Sequence, residues 1–320
     1  MRPISLHFPQ NGVVLLALGI LSVSRLTFAS DVPDSVLQSI AHLEMTASHS
    51  YSMRREVIAG NNAGDYTVDF RWRESGSRFF CDWEQHSVDG SSIKYRAAFD
   101  GQHFQTVDED STRTLYVSKG LNPERIILGA EEFMTSPFRF ALRYLEPNNN
   151  RYPSVKSLLS PETFRVLAGM ATSVETHQIV RDGKPFTEIL FSGCMNKRTG
   201  ESESIIVTFD NSRQFYPMSY SVYTAQGKTI MKYEVKQLSE AVATGEANVK
   251  MYFPSIAEAS YFGSKKSGYS ENPTFVYRYS ISNFEFMQRD EDNEDEFSFN
   301  PAEFDLIYDE DTKTVISVPK

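Results

Sequence analysis

The residues with the strongest claim to chemistry lie in KYRAAFDGQHFQTVDEDSTRTLYVS, Lys94 to Ser118, where Asp100, Asp108 and Asp110 surround His103 and several hydroxyls. Carboxylates beside an imidazole are the parts of general acid–base catalysis. A second set, Asp69, Asp82 and Glu84, would support hydrolysis if two of the three converged in a cleft with shifted proton affinities. The acidic run between Arg289 and Glu296 alternates Asp290, Asp292 and Glu294 like calcium ligands. It lacks the turn glycine and the distant bidentate Glu of a hand-type loop, so it reads as solvated loop. Ser317 to Lys320 matches Ser-x-x-Lys but contains Pro319, and the match is accidental. No nucleophile elbow, zinc-binding helix, phosphate loop or dinucleotide fingerprint occurs. His42, His49, His86, His103 and His177 share no metal spacing, and no cofactor or metal is implied.

The elements that must position these groups explain the first set without catalysis. Ile93, Tyr95, Ala97 and Phe99 form one face of a strand. Asp100-Gly101 is a two-residue turn whose positive φ Gly adopts without strain, and Gln102 to Val107 runs back. Asp108, Glu109 and Asp110 then belong to the next turn, ahead of a strand over Thr112 to Val117, and His103 is a strand side chain.

The same two-residue period is cleanest in DYTVDFRWRES. Tyr66, Val68, Phe70 and Trp72 point one way, and Asp65, Thr67, Asp69, Arg71 and Arg73 the other, which predicts one dry and one wet face. Tyr51 to Ile58 is its partner, and Asp89-Gly90 makes a further hairpin.

Before the strands, Asp34 to Ser48 carries Val36, Leu37, Ile40, Leu43 and Ala47 at helical spacing. Residues 119–170 break the rhythm. TSPFRFALRYLEP predicts a helix capped by Ser136, apolar on more than one side and therefore a cover for something apolar. SPETFRVLAG predicts a second helix, capped by Ser160. From Val174 the strand period returns, with strands expected near 174–181, 186–192, 204–209, 218–225, 229–237, 257–262, 274–287, 303–308 and 313–318. Asp182-Gly183 and Gln226-Gly227 supply turns, and Pro254 and Pro273 mark strand ends or edges.

Arg2, the nine-residue apolar run Val13 to Leu21, and Thr27 and Ala29 in small-x-small spacing predict a secretory leader over residues 1–29. Nine residues are too few to cross about 30 Å of hydrocarbon, so the chain is not expected to be membrane-embedded but exported, periplasmic or extracellular. The formal charge is −10, and removing the leader, which carries Arg2 and Arg25 and no acid, makes it −12. Nucleic acid and anionic membranes are poor partners for such a chain. Cys81 and Cys194 are the only cysteines. A disulfide and two separate buried thiols both remain open. About 290 residues without a repeat or a Pro/Ser linker favour one domain over 30–320, with a helical insertion over 119–170.

The aromatic content, 23 Phe, 16 Tyr and 2 Trp, is high. A long antiparallel meander must curl to hide its dry face, and a curled sheet of ten or more strands encloses more volume than its own side chains fill. The remaining space goes to inserted helices or to a ligand.

The order of elements resembles the periplasmic outer-membrane lipoprotein carrier, or LolA-like lipoprotein-sorting, superfamily. The likeness is carried by YRAAFDGQHFQTVDEDSTRTLYVS, by TFDNSRQFYPMSYSVYTAQGKTIMKYEVKQL with its strand, Pro-containing bend and following strand, and by the Phe-rich FSFNPAEFDLIYDEDTKTVISVP. It spans most of residues 35–319 in a chain longer than a minimal carrier. The resemblance implies a mainly β chain: a curved antiparallel half-barrel, that is, an unclosed β-barrel, with an N-terminal helix and a helical lid. It also implies non-catalytic binding of a hydrophobic small molecule or lipoprotein acyl chains. Arg54, Arg55, Arg71 and Arg73 fall where such a carrier would place a functional Arg, and the motifs do not single one out. The expected wall is Tyr66, Val68, Phe70, Trp72, Tyr95 and Phe99, and the expected lid Phe133, Met134, Phe138, Phe140 and Leu142. Two rival expectations are an interaction module with a filled interior and an exposed sheet edge, and a hydrolase built on the converging carboxylates.

Overall fold

The computed structural model describes residues 32–45, 48–60, 64, 66–75, 78–108, 113–119, 139–141, 155–157, 161–196, 200–242, 250–264, 268–287 and 297–318. The expected leader, residues 1–29, and its expected cleavage site lie outside them. Helix α1 (Asp34–Met45) is followed by β1 (Ser48–Gly60), β2 (Tyr66–Ser75), β3 (Arg78–Ser87), β4 (Ser92–Phe99), β5 (His103–Asp108) and β6 (Thr114–Lys119). A short pair, β7 (Arg139–Ala141) and β8 (Val155–Ser157), precedes α2 (Pro161–Met170).

The second run is β9 (Ser173–Arg181), β10 (Lys184–Asn196), β11 (Glu201–Asp210), β12 (Tyr216–Thr224), β13 (Thr229–Val242) and β14 (Lys250–Tyr261). The two-residue β15 (Gly263–Ser264) and β16 (Gly268–Tyr269) lead to β17 (Phe275–Met287), and β18 (Leu306–Asp309) and β19 (Thr314–Ser317) close the chain.

Fifteen strands form one unclosed curved sheet in the order β19-β18-β6-β5-β4-β3-β2-β1-β17-β14-β13-β12-β11-β10-β9. All neighbours are antiparallel except β18 and β6. The two meanders join where β1 pairs with β17, far apart in sequence. Single-face alternation is therefore propagated across the sheet. One row of directly opposed residues runs Val57, Tyr277, Ala259, Tyr233, Tyr220, Val207, Ile189 from β1 to β10. Every member but Tyr277 is buried, which marks this as the dry face.

The turns match the sequence. Gly90 and Gly101 adopt φ 84° and 100°, and Asp182 and Gly183 adopt 51° and 73°. Asp100 Oδ1 accepts from the Gln102 and His103 backbone N–H groups, which fixes the β4–β5 hairpin. Those bonds stabilise the ionised carboxyl, and although partial burial opposes them, its pKa lies below the usual carboxylate value. Asp100 is thus a turn carboxylate, as its position between two strands predicts.

Both helices pack on the dry face. Val36 and Ile40 of α1 and Phe164 and Leu167 of α2 are fully buried. Phe164 packs edge-on to Phe209, with centroids 5.4 Å apart, and lies 6.5 Å from Phe191, so α2 sits over β10 and β11 and touches α1. Burying one such ring contributes about 1.5–3 kcal/mol.

One expectation needs correction, and two that were open are decided. Phe140, placed on a lid helix by its periodicity, is in strand β7, where a backbone ladder to β8 replaces helical bonding over 139–141. Of the two positions expected for Pro254, a strand end or an edge, it takes the edge, inside β14. It stands where the β13 ladder shifts register, and β17 pairs only with Ile256 onward, so no continuous ladder is interrupted. Cys81 and Cys194, open between a disulfide and two thiols, are buried thiols on β3 and β10, far apart in the strand order, with no disulfide between them.

Candidate functional site

The expected wall residues come together on the dry face of β2 to β4. Phe70, Trp83 and Tyr95 are directly opposed across three strands, and Trp72, Cys81 and Ala97 form the next row. Phe79, Phe99 and Phe104 form a third row. Val68, Phe70, Trp72, Tyr95 and Phe99 are buried, and Tyr66 is half-buried beside them. Trp72 stacks on Phe79 at 5.5 Å, and Trp83 lies 5.8 Å from Tyr95. Cys81 and Ala97 are small residues between large rings, so the backbone there forms the low floor of a ring-walled surface. Of the expected lid, Phe133, Met134, Phe138 and Leu142 lie outside the described residues.

The sequence did not single out Trp83, Phe79 or Phe104. The signal was present: RFFCDWEQ alternates as cleanly as the strand before it, and pairing with β2 puts Phe79, Cys81 and Trp83 on the same face.

The four candidate arginines separate by strand parity. Arg55 is on the dry face, 3% exposed, with its guanidinium 4.7 Å from the Tyr277 ring centroid and 5.7 Å from that of Tyr66. A cation over two rings keeps part of its charge stabilised away from water. Arg54, Arg71 and Arg73 are on the opposite side of the sheet. Burial pushes the phenols of Tyr216, Tyr233 and Tyr277 above their ordinary pKa, so they are neutral donors at any physiological pH. Burial, helped by the neighbouring Glu203, pushes the Cys194 thiol up to about 12 and leaves it unreactive.

Trp83 Nε1 and Ser118 Oγ are among the buried polar atoms of the dry face, and neither has a hydrogen-bond partner. Trp83 is 7% exposed and Ser118 4%. Ser118 is opposed to Phe104, which places both orphan groups in the β3–β6 half of the face, away from the α2 contact with β10 and β11.

The opposite face of the same strands is wet and charged over β17, β1, β2 and β3. It holds a cavity of about 720 Å³ lined by Arg54, Asp69, Arg71, Asp82, Glu84 and His86, among others. A neighbouring cavity of about 380 Å³ runs past Ser50, Ser52 and Arg73. The three carboxylates of the hydrolase expectation therefore do share a groove. Arg54 makes a two-pronged contact to Asp69 at 2.7 and 3.0 Å. That guanidinium holds the Asp69 carboxyl below the usual carboxylate range, the opposite of what a general acid at neutral pH requires. Among the described residues, no group of His, Cys, Asp and Glu is arranged to hold a metal ion.

Further along, the outer face is dry again. Ala98, Val107 and Leu115 are covered by Phe299 and Phe304 from the segment before β18, and the Phe299 N–H donates to Gln105 Oε1 at 2.7 Å. No helix of the described residues is long and apolar enough to cross a membrane.

No family model matches the chain, and no curated protein matches it. Solved structures do align over most of its length. A DUF1329 family protein from Desulfovibrio piger covers 84% of this chain and 98% of its own, at 10% identity and a TM-score of 0.44. A putative outer membrane lipoprotein-sorting protein domain from Vibrio parahaemolyticus covers 83% and 95%, at 8% identity and 0.44. A LolA superfamily protein from Nitrosomonas europaea covers 83% and 97%, at 9% identity and 0.40. The superfamily that the sequence segments resemble is thus among the structural neighbours. The overlaps are loose.

Proposed function

We propose that this chain is an exported, non-catalytic carrier that holds a lipid or acyl chain against the dry face of β2 to β5. One observation carries the reading: the ring-walled surface of Phe70, Trp72, Phe79, Trp83, Tyr95 and Phe99 lies in the half of the sheet away from the α2 contact with β10 and β11. Each methylene of a bound chain removed from water there would contribute about 0.8 kcal/mol. A surface of aromatic rings suits an apolar molecule. Native mass spectrometry of the mature chain, mixed with palmitate or with a triacylated lipopeptide, tests this. A one-to-one adduct surviving gentle desolvation supports the carrier, and bare protein with both ligands in excess overturns it.

A second reading is favoured by the position of the cavities. Both described cavities open on the charged face. An interaction module with a filled interior would use that face or a free sheet edge for a protein partner. It predicts bare protein in the same experiment.

A further inference from the structure

The dry face is not uniformly apolar, and one of its buried polar groups bears on the ligand. Trp83 Nε1 is a buried donor with nothing to donate to, directly between Phe70 and Tyr95. A buried donor left without an acceptor loses its hydrogen bond to water and gains none in return, and native interiors rarely tolerate that. Ser118 Oγ repeats the pattern three strands away on the same face. The floor beside Trp83 is low because Cys81 and Ala97 separate the large rings along β3 and β4.

We infer that the Trp83 indole N–H is a ligand contact, and that the molecule held on this face carries a neutral carbonyl, an acyl ester or amide, whose oxygen accepts from Nε1. The inference rests on the carrier reading and narrows it from hydrocarbon in general to acyl derivatives. A neutral acceptor follows from the surroundings. Trp83 is flanked by rings, and the buried cation of the face, Arg55, is on another strand with its guanidinium over Tyr277 and Tyr66. A carboxylate at Trp83 would lose its hydration for a single neutral donor, whereas an ester carbonyl loses little.

The chain contains two tryptophans, so its indole ¹⁵N–¹H spectrum holds two cross-peaks, and W83F assigns the one that matters. The probes are methyl palmitate, palmitic acid and hexadecane. Methyl palmitate is expected to move the Trp83 indole proton downfield, with hexadecane leaving it near its free position. W83F keeps an aromatic ring and removes the donor. It should weaken methyl palmitate about fivefold to tenfold and leave hexadecane unchanged. An indole signal that stays in place while the ester binds overturns the inference and leaves the carrier standing. So does an equal loss of ester and hexadecane in W83F, or a preference for palmitic acid over its methyl ester. Should none of the three bind the wild-type chain, the carrier reading and the inference fall together. The wild-type shift does not depend on how well the variant folds.

Discussion

The two faces of β1 to β4 are made by alternate residues of the same strands, yet they are built on opposite principles. On one side Met53, Phe70, Trp83 and Tyr95 face each other across four strands, all buried. One residue along, Arg54, Asp69, Glu84 and Lys94 do the same in water, with Arg54 and Asp69 side chains 56% and 38% exposed. Shape and charge therefore point in different directions: the wet face has the cavities, and the dry face has the apolar surface. Hydrophobic burial scales with area, while exposed ion pairs are each worth roughly 0–1 kcal/mol. Stability and acyl binding should then follow the dry face, and changes on the wet face should be small.

Substitutions graded by expected effect can break that contrast. The largest loss is expected for Phe164→Ala, which empties the contact between α2 and the rings of Phe191 and Phe209. It should cost about 3–5 kcal/mol in urea denaturation. Gly60→Ala comes next. Gly60 holds φ 111° at the β1–β17 ladder, and an added Cβ would run into the Thr274 carbonyl oxygen. A loss of about 1–3 kcal/mol is expected by the same measurement. Ala97→Leu raises the low floor between Tyr95 and Phe99. Overpacking should cost about 1–3 kcal/mol and lower acyl binding in a titration, whereas Arg71→Ala across the sheet should leave binding unchanged.

The smallest effect concerns Asp69. Arg54 depresses its folded pKa, so its stabilisation is present above the unfolded carboxylate value near pH 4 and fades as pH falls through the folded value. Asp69→Asn should differ from wild type by at most about 1 kcal/mol at pH 7, with the gap closing towards pH 3 in paired denaturation curves. A larger loss for D69N than for F164A would invert the comparison.

Local signals carried much of this into the sequence. Asp100-Gly101 and Asp182-Gly183 are turns because positive φ is needed there, and TVDFRW is a strand because its period is two. Pro161 begins α2 where a missing N–H is tolerated. What was not legible is set by distance along the chain. The β1–β17 junction, the parallel seating of β18 on β6, and the cover of Phe299 and Phe304 over Leu115 join residues nearly two hundred or more positions apart. Alternation marks a residue as wet or dry and cannot say which wet residues line a groove, so the meeting of Asp69, Asp82 and Glu84 emerged only with strand register. Helical spacing misled at Phe140, where a three-residue ladder to Val155–Ser157 took precedence.

Trp72 and Trp83, the only tryptophans, both lie on the dry face, which allows one direct measurement of where a lipid rests. Bromine quenches indole fluorescence at short range, so methyl esters of brominated and unbrominated palmitic acid can be compared at equal occupancy. Saturable quenching by the brominated ester alone, abolished when unbrominated ester is added in excess, is the result expected for a chain lying on β2 to β5. Undiminished tryptophan fluorescence with the brominated ester bound would place the lipid elsewhere and contradict the assignment of the dry face.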